Sequence, residues 1–295
     1  MKTYLDCIPC FFNQAIRTSR LVTTDEKLIK KVLDILGEVV KDIPMDNSPP
    51  ETGRVVYRII KEIIKNDDPY KEIKRKSTEQ ALKLYPEVKE FIQKSSDPLL
   101  SSIKAAIGGN IIDFGVNKTF NIKKELKNIF KIDFAINDYK IFLKLLKKTD
   151  KILYIGDNAG ETVFDKILIE ELNKLNKKVI YVVRGKPIIN DVIYEDAIQA
   201  GIDKLAEIVN SGTDAPGSVL RTCSKEFNEL FNSSNFIVSK GQGNYEALSE
   251  ENKPIFFLLK VKCHIIARDI KVKEKEIVLK ASDYLKKFYE KDRTF

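Results

Sequence analysis

The sequence predicts an α/β fold: a Rossmann-like three-layer core with a parallel-rich sheet, joined to an α-helical N-terminal region. Three observations carry that expectation. From about residue 150 onward, short apolar runs alternate with segments of helical periodicity, the pattern of a parallel sheet covered by helices. Before about residue 148, apolar residues recur almost throughout at helical spacing. A chain of 295 residues with 43% hydrophobic content can also bury one large core or two smaller ones. The expected division is 1–148 for the helical region and 149–295 for the α/β domain.

In the first half, Phe11, Phe12, Ala15 and Ile16 begin one amphipathic face, and Leu28, Ile29, Val32, Leu33 and Leu36 a second. Val55, Val56, Ile59, Ile60, Ile63 and Ile64 form a third. Pro49-Pro50 and Asp97-Pro98 punctuate these helices. Ile103 to Ile107 continue as a helix into Gly108-Gly109-Asn110. In the second half, strands are expected at 151–156, 179–184, 206–210, 235–239 and 255–260, with helices between them.

The chemistry collects where these strands end. The first apolar run leads into Gly156-Asp157-Asn158-Ala159-Gly160-Glu161, followed by Val163, Phe164, Ile167, Leu168 and Leu172 at helical spacing. A strand, a polar turn and a helix start make the place where open α/β sheets bind ligands. Two adjacent hard oxygen donors with a nearby carboxylate suit a divalent cation such as Mg²⁺ or Mn²⁺. Asp157 and Asn158 also suit helix capping. The second strand ends in Arg184-Gly185-Lys186-Pro187, then Asn190-Asp191. A dinucleotide fold wants an acidic ribose ligand at this point, so Arg184 argues against NAD and against S-adenosylmethionine. Arg184 and Lys186 suit a phosphate instead. By spacing alone Asp191 serves equally as a third oxygen ligand or as a helix cap. Ser211 and Gly212 follow the third strand and offer hydroxyl and backbone N–H donors to an anion. After the fourth strand, Lys240-Gly241-Gln242-Gly243-Asn244 places a point charge in a glycine-flanked loop, where it reads as solvent-facing. That loop lacks the spacing of a nucleotide P-loop.

Together, Gly-Asp-Asn-Ala-Gly-Glu (156–161), Arg-Gly-Lys-Pro-Ile-Ile-Asn-Asp-Val (184–192) and Lys-Gly-Gln-Gly-Asn-Tyr-Glu (240–246) resemble the signature segments of the damage-control phosphatases, formerly domain of unknown function 89. Cys-Ile-Pro-Cys (7–10) and Asn-Ile-Ile-Asp-Phe-Gly (110–115) are similar to its prokaryotic, cysteine-containing subgroup. The resemblance implies a helical region packed on a Rossmann-like core and a metal-dependent phosphatase of small phosphorylated metabolites. It implies divalent-metal ligation (Mg, Mn, Ni or Co) by Asp157, Asn158 and Asp191, and a phosphate contact from Lys240. It further implies that Asn110 and Asp113, otherwise helix-end caps, lean over the crevice and enclose substrate. Asn244 of the glycine loop belongs to the same expected substrate site.

The +8 formal charge is a modest surplus of 51 basic over 43 acidic residues. Lysines interleave with glutamates, and no basic block carries stacking aromatics. This predicts a solvated, ion-paired surface rather than a nucleic-acid groove, with attraction for anionic metabolites. Charges at Lys2 and Asp6 stand where a signal sequence needs an apolar run, and no stretch is long enough to span a bilayer. The expectation is a cytoplasmic protein with no membrane partner. Its four cysteines are then thiols or metal ligands rather than structural disulfides. Cys7, Cys10 and Cys263, with Cys223 as a further member, form a candidate second site for Zn or Fe; core packing is the alternative reading. The single histidine, His264, reads as partly buried and structural.

The expected reaction is hydrolysis of phosphomonoesters such as sugar phosphates, nucleotides or damaged cofactor phosphates. Metal held by Asp157, Asn158 and Asp191 would neutralise phosphoryl oxygens, and Lys240, with Arg184 or Lys186, would offset transition-state charge. Glu161 is the candidate for orienting water, with Asp157 as nucleophile the competing route. A methyltransferase, or a non-catalytic protein binding metal or phosphorylated metabolites, is the alternative on the same fold.

Overall fold

The computed structural model describes residues 1–109 and 130–291. Helices α1 (Cys7–Arg20), α2 (Glu26–Val40) and α3 (Pro49–Ile64) pack through Phe11, Ala15, Val32, Leu36, Val56 and Ile60. Their starts are chemically marked. The Asp25 side chain accepts from the N–H groups of Lys27 and Leu28, and Ser48 and Glu51 form a reciprocal capping box before the prolines. Helices α4 (Lys71–Gln93) and α5 (Pro98–Gly108) lie against the sheet layer rather than in that bundle.

The sheet has seven strands, β1 (Phe134–Asn137), β2 (Lys151–Ile155), β3 (Lys178–Val183), β4 (Glu207–Asn210), β5 (Ile237–Lys240), β6 (Ile255–Lys260) and β7 (Ile277–Ala281). Their order is β1-β7-β6-β5-β2-β3-β4. The strands from β6 to β4 run parallel, and β7 lies antiparallel to β6 with β1 parallel to β7. One face is covered by α5, α6 (Tyr139–Leu146), α7 (Thr162–Lys174) and α8 (Tyr194–Ala200). The other is covered by α9 (Lys225–Ser233), α10 (Gln242–Leu248) and α11 (His264–Ile270). A last helix, α12 (Asp283–Lys291), follows β7. This is the expected three-layer α/β fold, and the five expected strands form its parallel portion.

Two strands escape the sequence pattern. β1 falls within the stretch read as helical, and its apolar run is only Phe134-Ala135-Ile136, alternately exposed. β7 follows the charged run Lys273 to Glu276 and offers only three consecutive aliphatic residues before Lys280. Among the described residues, no helix is long and apolar enough to cross a membrane. Strand order reverses direction between β2 and β5, since β3 and β4 are added on one side and β6 on the other. Such a switch point opens a crevice at the strands' C-terminal ends.

Candidate active site

Asp157 follows β2 and Gly241 follows β5, so both stand at the switch point. Gly241 has φ +78°, and a Cβ there would overlap the Asp157 carboxylate. Only glycine lets that carboxylate lie against the β5 turn. The next residue is tied sideways to the turn after β3. Asn158 and Asp191 pair in an isolated antiparallel bridge. Val192 N donates to the Asp157 carbonyl at 2.8 Å, Ala159 N to the Asn190 carbonyl at 2.9 Å, and Arg184 N to the Val192 carbonyl at 2.9 Å. Two loops distant in sequence thus become one rigid floor carrying Asp157, Asn158 and Asp191, all buried.

Side chains lock this floor from beneath. Arg184, fully buried, donates through Nε to Asp191 at 2.8 Å and through Nη2 to the Asn244 amide oxygen at 3.1 Å. Asn244 in turn donates to the carbonyls of Gly156 at 3.0 Å and Lys240 at 2.7 Å, which clamps β2 to β5. The Asn158 amide nitrogen donates to Asp157 at 2.9 Å and also to Glu161. Its nitrogen is committed to carboxylates, so its oxygen is the atom left to serve a cation.

Electrostatics fit that assignment. Burial pushes the Asp191 carboxyl up to about 7 against the pull of Arg184, and the Asp157 charge adds to the push. Burial likewise raises Glu161 to about 7, opposed by Lys240 and aided by Asp157. Clustered buried carboxylates that repel each other, beside an amide oxygen, form a hard donor set of the kind a divalent ion neutralises. Among the described residues, no three His, Cys, Asp or Glu side chains converge to hold a metal by themselves.

The floor opens into a cavity of about 650 Å³, roofed by α1 and the start of α3. Asp157, Asn158, Asn190 and Asp191 line its base, Cys7, Cys10, Gln14 and Arg17 one wall, and Gln242, Glu246, Lys262 and Cys263 another. A wider depression of about 1020 Å³ lies at the opposite ends of β2, β3 and β4, among Lys151, Lys178, Lys204 and Glu207, and has none of the floor's donors.

Several expected site residues stand elsewhere. Lys240 is not in a solvent-facing loop: it ends β5, fully buried, and its ammonium donates to Asp165 at 2.7 Å and Glu161 at 3.3 Å. Asp165 also accepts from the hydroxyls of Tyr154 at 2.7 Å and Tyr181 at 2.9 Å, so that charge pair is part of the core. Burial pulls the Lys240 ammonium down, and Asp165 and Glu161 outweigh it, leaving it above the usual lysine value. Glu161, Lys240, Arg184 and Asn244 therefore support the floor from behind and do not line the cavity. Ser211 spends its hydroxyl on the Val183 carbonyl at 2.8 Å, and Gly212 N donates to Asn210 at 2.7 Å. Lys186 is exposed outside the cavity. Asn110 and Asp113 lie outside the described residues.

Cys7, Cys10 and Cys263 do share one cavity, with burial raising the first two thiols, whereas Cys223 lies apart with its Sγ donating to the Val219 carbonyl. His264 is exposed rather than buried and pairs with Asp6 at 3.2 Å across the cavity mouth. Sequence reasoning missed Lys262 and Arg17. Lys262 follows β6 and obeys the strand-end logic used for the other loops. Arg17 required knowing which face of α1 meets the sheet.

A family model described as the damage-control phosphatase ARMT1-like domain matches residues 3–278. A damage-control phosphatase of Pyrococcus horikoshii is 36% identical over 283 residues, covering 94% of this chain and 97% of that protein. A damage-control phosphatase of Archaeoglobus fulgidus is 34% identical over 284 residues, covering 93% and 97%. The crystal structure of a domain-of-unknown-function-89 protein from P. horikoshii superposes with a TM-score of 0.90 at 35% identity, covering 96% of this chain and 100% of that one. The motifs at 156–161, 184–192 and 240–246 thus sit together on the fold that the matches share, and the chain belongs to the damage-control phosphatase ARMT1-like family.

Proposed function

We propose that the protein is a divalent-metal-dependent phosphatase that hydrolyses phosphomonoesters of small metabolites in metabolite damage control. The observation that carries this reading is the bridge between Asn158 and Asp191, which gathers Asp157, Asn158 and Asp191 at the base of a metabolite-sized cavity. The names of the relatives above support the phosphatase reading.

Asp157, Asn158 and Asp191 would hold Mg²⁺, Mn²⁺, Ni²⁺ or Co²⁺. There the ion would supply positive charge to offset that of the phosphoryl oxygens and would polarise water for attack. The chain's own residues supply the rest. Arg184 fixes the Asp191 carboxylate, and Glu161 fixes the Asn158 amide. Lys262, whose charge already acts on Asp191 and Glu161, receives the phosphoryl group. Glu161, behind the floor, bears on the attacking water only indirectly, through the Asn158 amide that it orients. Lys240 sustains that carboxylate from the core. The α1 wall and Pro49–Pro50 exclude bulk water.

The test is phosphate release by metal-stripped protein resupplied with each ion in turn, across sugar phosphates, nucleotides and cofactor phosphates. Turnover that depends on an added ion and disappears in Asp157→Asn supports the reading. Full turnover in chelator, or none with any ion and ester, overturns it.

A further inference from the structure

Two cations line the cavity without an ion pair among the described residues, Lys262 and Arg17. Their neighbours are committed. Arg184 pairs with Asp191, Lys240 with Glu161 and Asp165, and Arg54 with Asp214. Even on α1, one turn on, Arg20 pairs with Glu26. Arg17 thus stands exposed on the cavity wall with no acidic partner among the described residues, open to an anionic ligand.

Its placement is set by the helix. Phe11, Ala15 and Thr18 bury one face of α1. Cys10, Asn13, Gln14 and Arg17 follow at the spacing of a single neighbouring stripe, and all four line the cavity. Gln14 is itself fixed, donating to the Cys10 Sγ at 3.4 Å and accepting from the Tyr57 hydroxyl at 3.4 Å. Arg17 lies about 10 Å along the helix axis from Cys10, at 1.5 Å of rise per residue. Lys262 instead stands over the Asp157–Asn158–Asp191 floor, where its charge acts on Asp191. The cavity, about 650 Å³, is far larger than a phosphate needs.

We infer that the substrate carries a second anionic group, a carboxylate or another phosphate, at the end remote from the scissile phosphate, and that Arg17 receives it. This rests on the phosphatase reading of the floor. The guanidinium fork binds either oxyanion with two parallel N–H donors, and so selects for a charged tail over a hydroxyl one.

The experiment compares matched pairs with the Mn²⁺-loaded protein: 6-phosphogluconate against sorbitol 6-phosphate, and glucose 1,6-bisphosphate against glucose 6-phosphate. In wild type the charged-tail member should be favoured in kcat/KM by about tenfold or more, the scale of one charge-assisted contact. Arg17→Gln should bring each ratio toward one, and Arg20→Gln, which removes the same charge one turn away, should leave it. The pair with the larger ratio distinguishes a carboxylate tail from a phosphate tail. Ratios near one in wild type, or ratios that survive Arg17→Gln, overturn the inference. Should no ester turn over, the phosphatase reading is what fails. Calorimetric titration of the same pairs in chelator then decides the role of Arg17: a charged-tail preference lost in Arg17→Gln supports it, and equal binding overturns it.

Discussion

Asn158 and Asp191 face each other across a single antiparallel bridge that belongs to no strand. Each follows a different β-strand, and neither loop alone carries a complete donor set. The bridge fixes the separation of their side chains by backbone hydrogen bonds rather than by side-chain contacts. The floor is therefore pre-organised before any ligand arrives, and the Asp157 charge adds to burial in holding the Asp191 carboxyl above its ordinary range, an electrostatic cost.

That cost predicts the behaviour of Asp157→Asn. The Asp157 charge raises both Asp191 and Glu161, so neutralising it relieves repulsion in the metal-free protein. The melting temperature in chelator should stay level or rise. An ion present at about 100 times its Kd stabilises a wild-type protein by about 2.7 kcal/mol, and this increment should vanish in the variant. Scanning fluorimetry with and without Mn²⁺ measures both, and an undiminished Mn²⁺ increment would place the ion elsewhere.

The same carboxylates set a pH dependence. Asp191 and Glu161 have folded pKa values of about 7, above their ordinary values of 3.8 and 4.5. Between those limits the folded state binds more protons than the unfolded one, so their contribution makes metal-free stability fall as pH rises. Metal binding must displace those protons, so affinity should climb as pH rises through 7. Urea titrations and calorimetry in buffers of different ionisation enthalpy test this. Metal binding that releases no protons at pH 6 would contradict it.

The difference between what was legible and what was not follows from the range of each signal. Strand–loop–helix alternation and oxygen donors at Asp157, Asn158 and Asp191 are local, and they read correctly as neighbouring strand ends. The role of Lys240 is not local. Glycine on its C-terminal side makes the loop look open, whereas its true environment is set by Asp165, Tyr154 and Tyr181 from two other elements. Arg184 likewise reads as a free cation, because its partners Asp191 and Asn244 converge only after the sheet forms. β1 is invisible because its pairing with β7 supplies what its own sequence lacks.

Lys240→Ala should consequently be a folding defect before it is a kinetic one. It removes the ammonium that pairs with the buried Asp165 and Glu161 carboxylates. Breaking a buried pair by removing one partner costs about 3–5 kcal/mol. Urea unfolding should show a loss of that order with an unchanged m-value. A variant with wild-type stability and selectively reduced turnover would instead make this lysine a direct phosphate contact.

Gly241→Ala separates geometry from charge at the floor. The residue holds φ +78° and ψ 167°, a region almost confined to glycine where an L side chain is strained by about 1–3 kcal/mol, and its new Cβ would meet the Asp157 carboxylate. Relief requires either the β5 turn or the carboxylate to move. The turn is pinned by Gly241 N donating to the Leu258 carbonyl at 3.0 Å and by the Asn244 amide nitrogen donating to the carbonyls of Gly156 and Lys240. Moving the carboxylate needs only a side-chain rotation that gives up the 2.9 Å bond from the Asn158 amide, whereas moving the turn breaks backbone hydrogen bonds. The variant should fold with a modest loss of stability and keep every ionisable group of wild type, yet bind Mn²⁺ far more weakly. Calorimetric titration at one pH, alongside urea unfolding, checks both halves. Wild-type Mn²⁺ affinity in Gly241→Ala would mean that the ion does not depend on where the Asp157 carboxylate rests against the β5 turn.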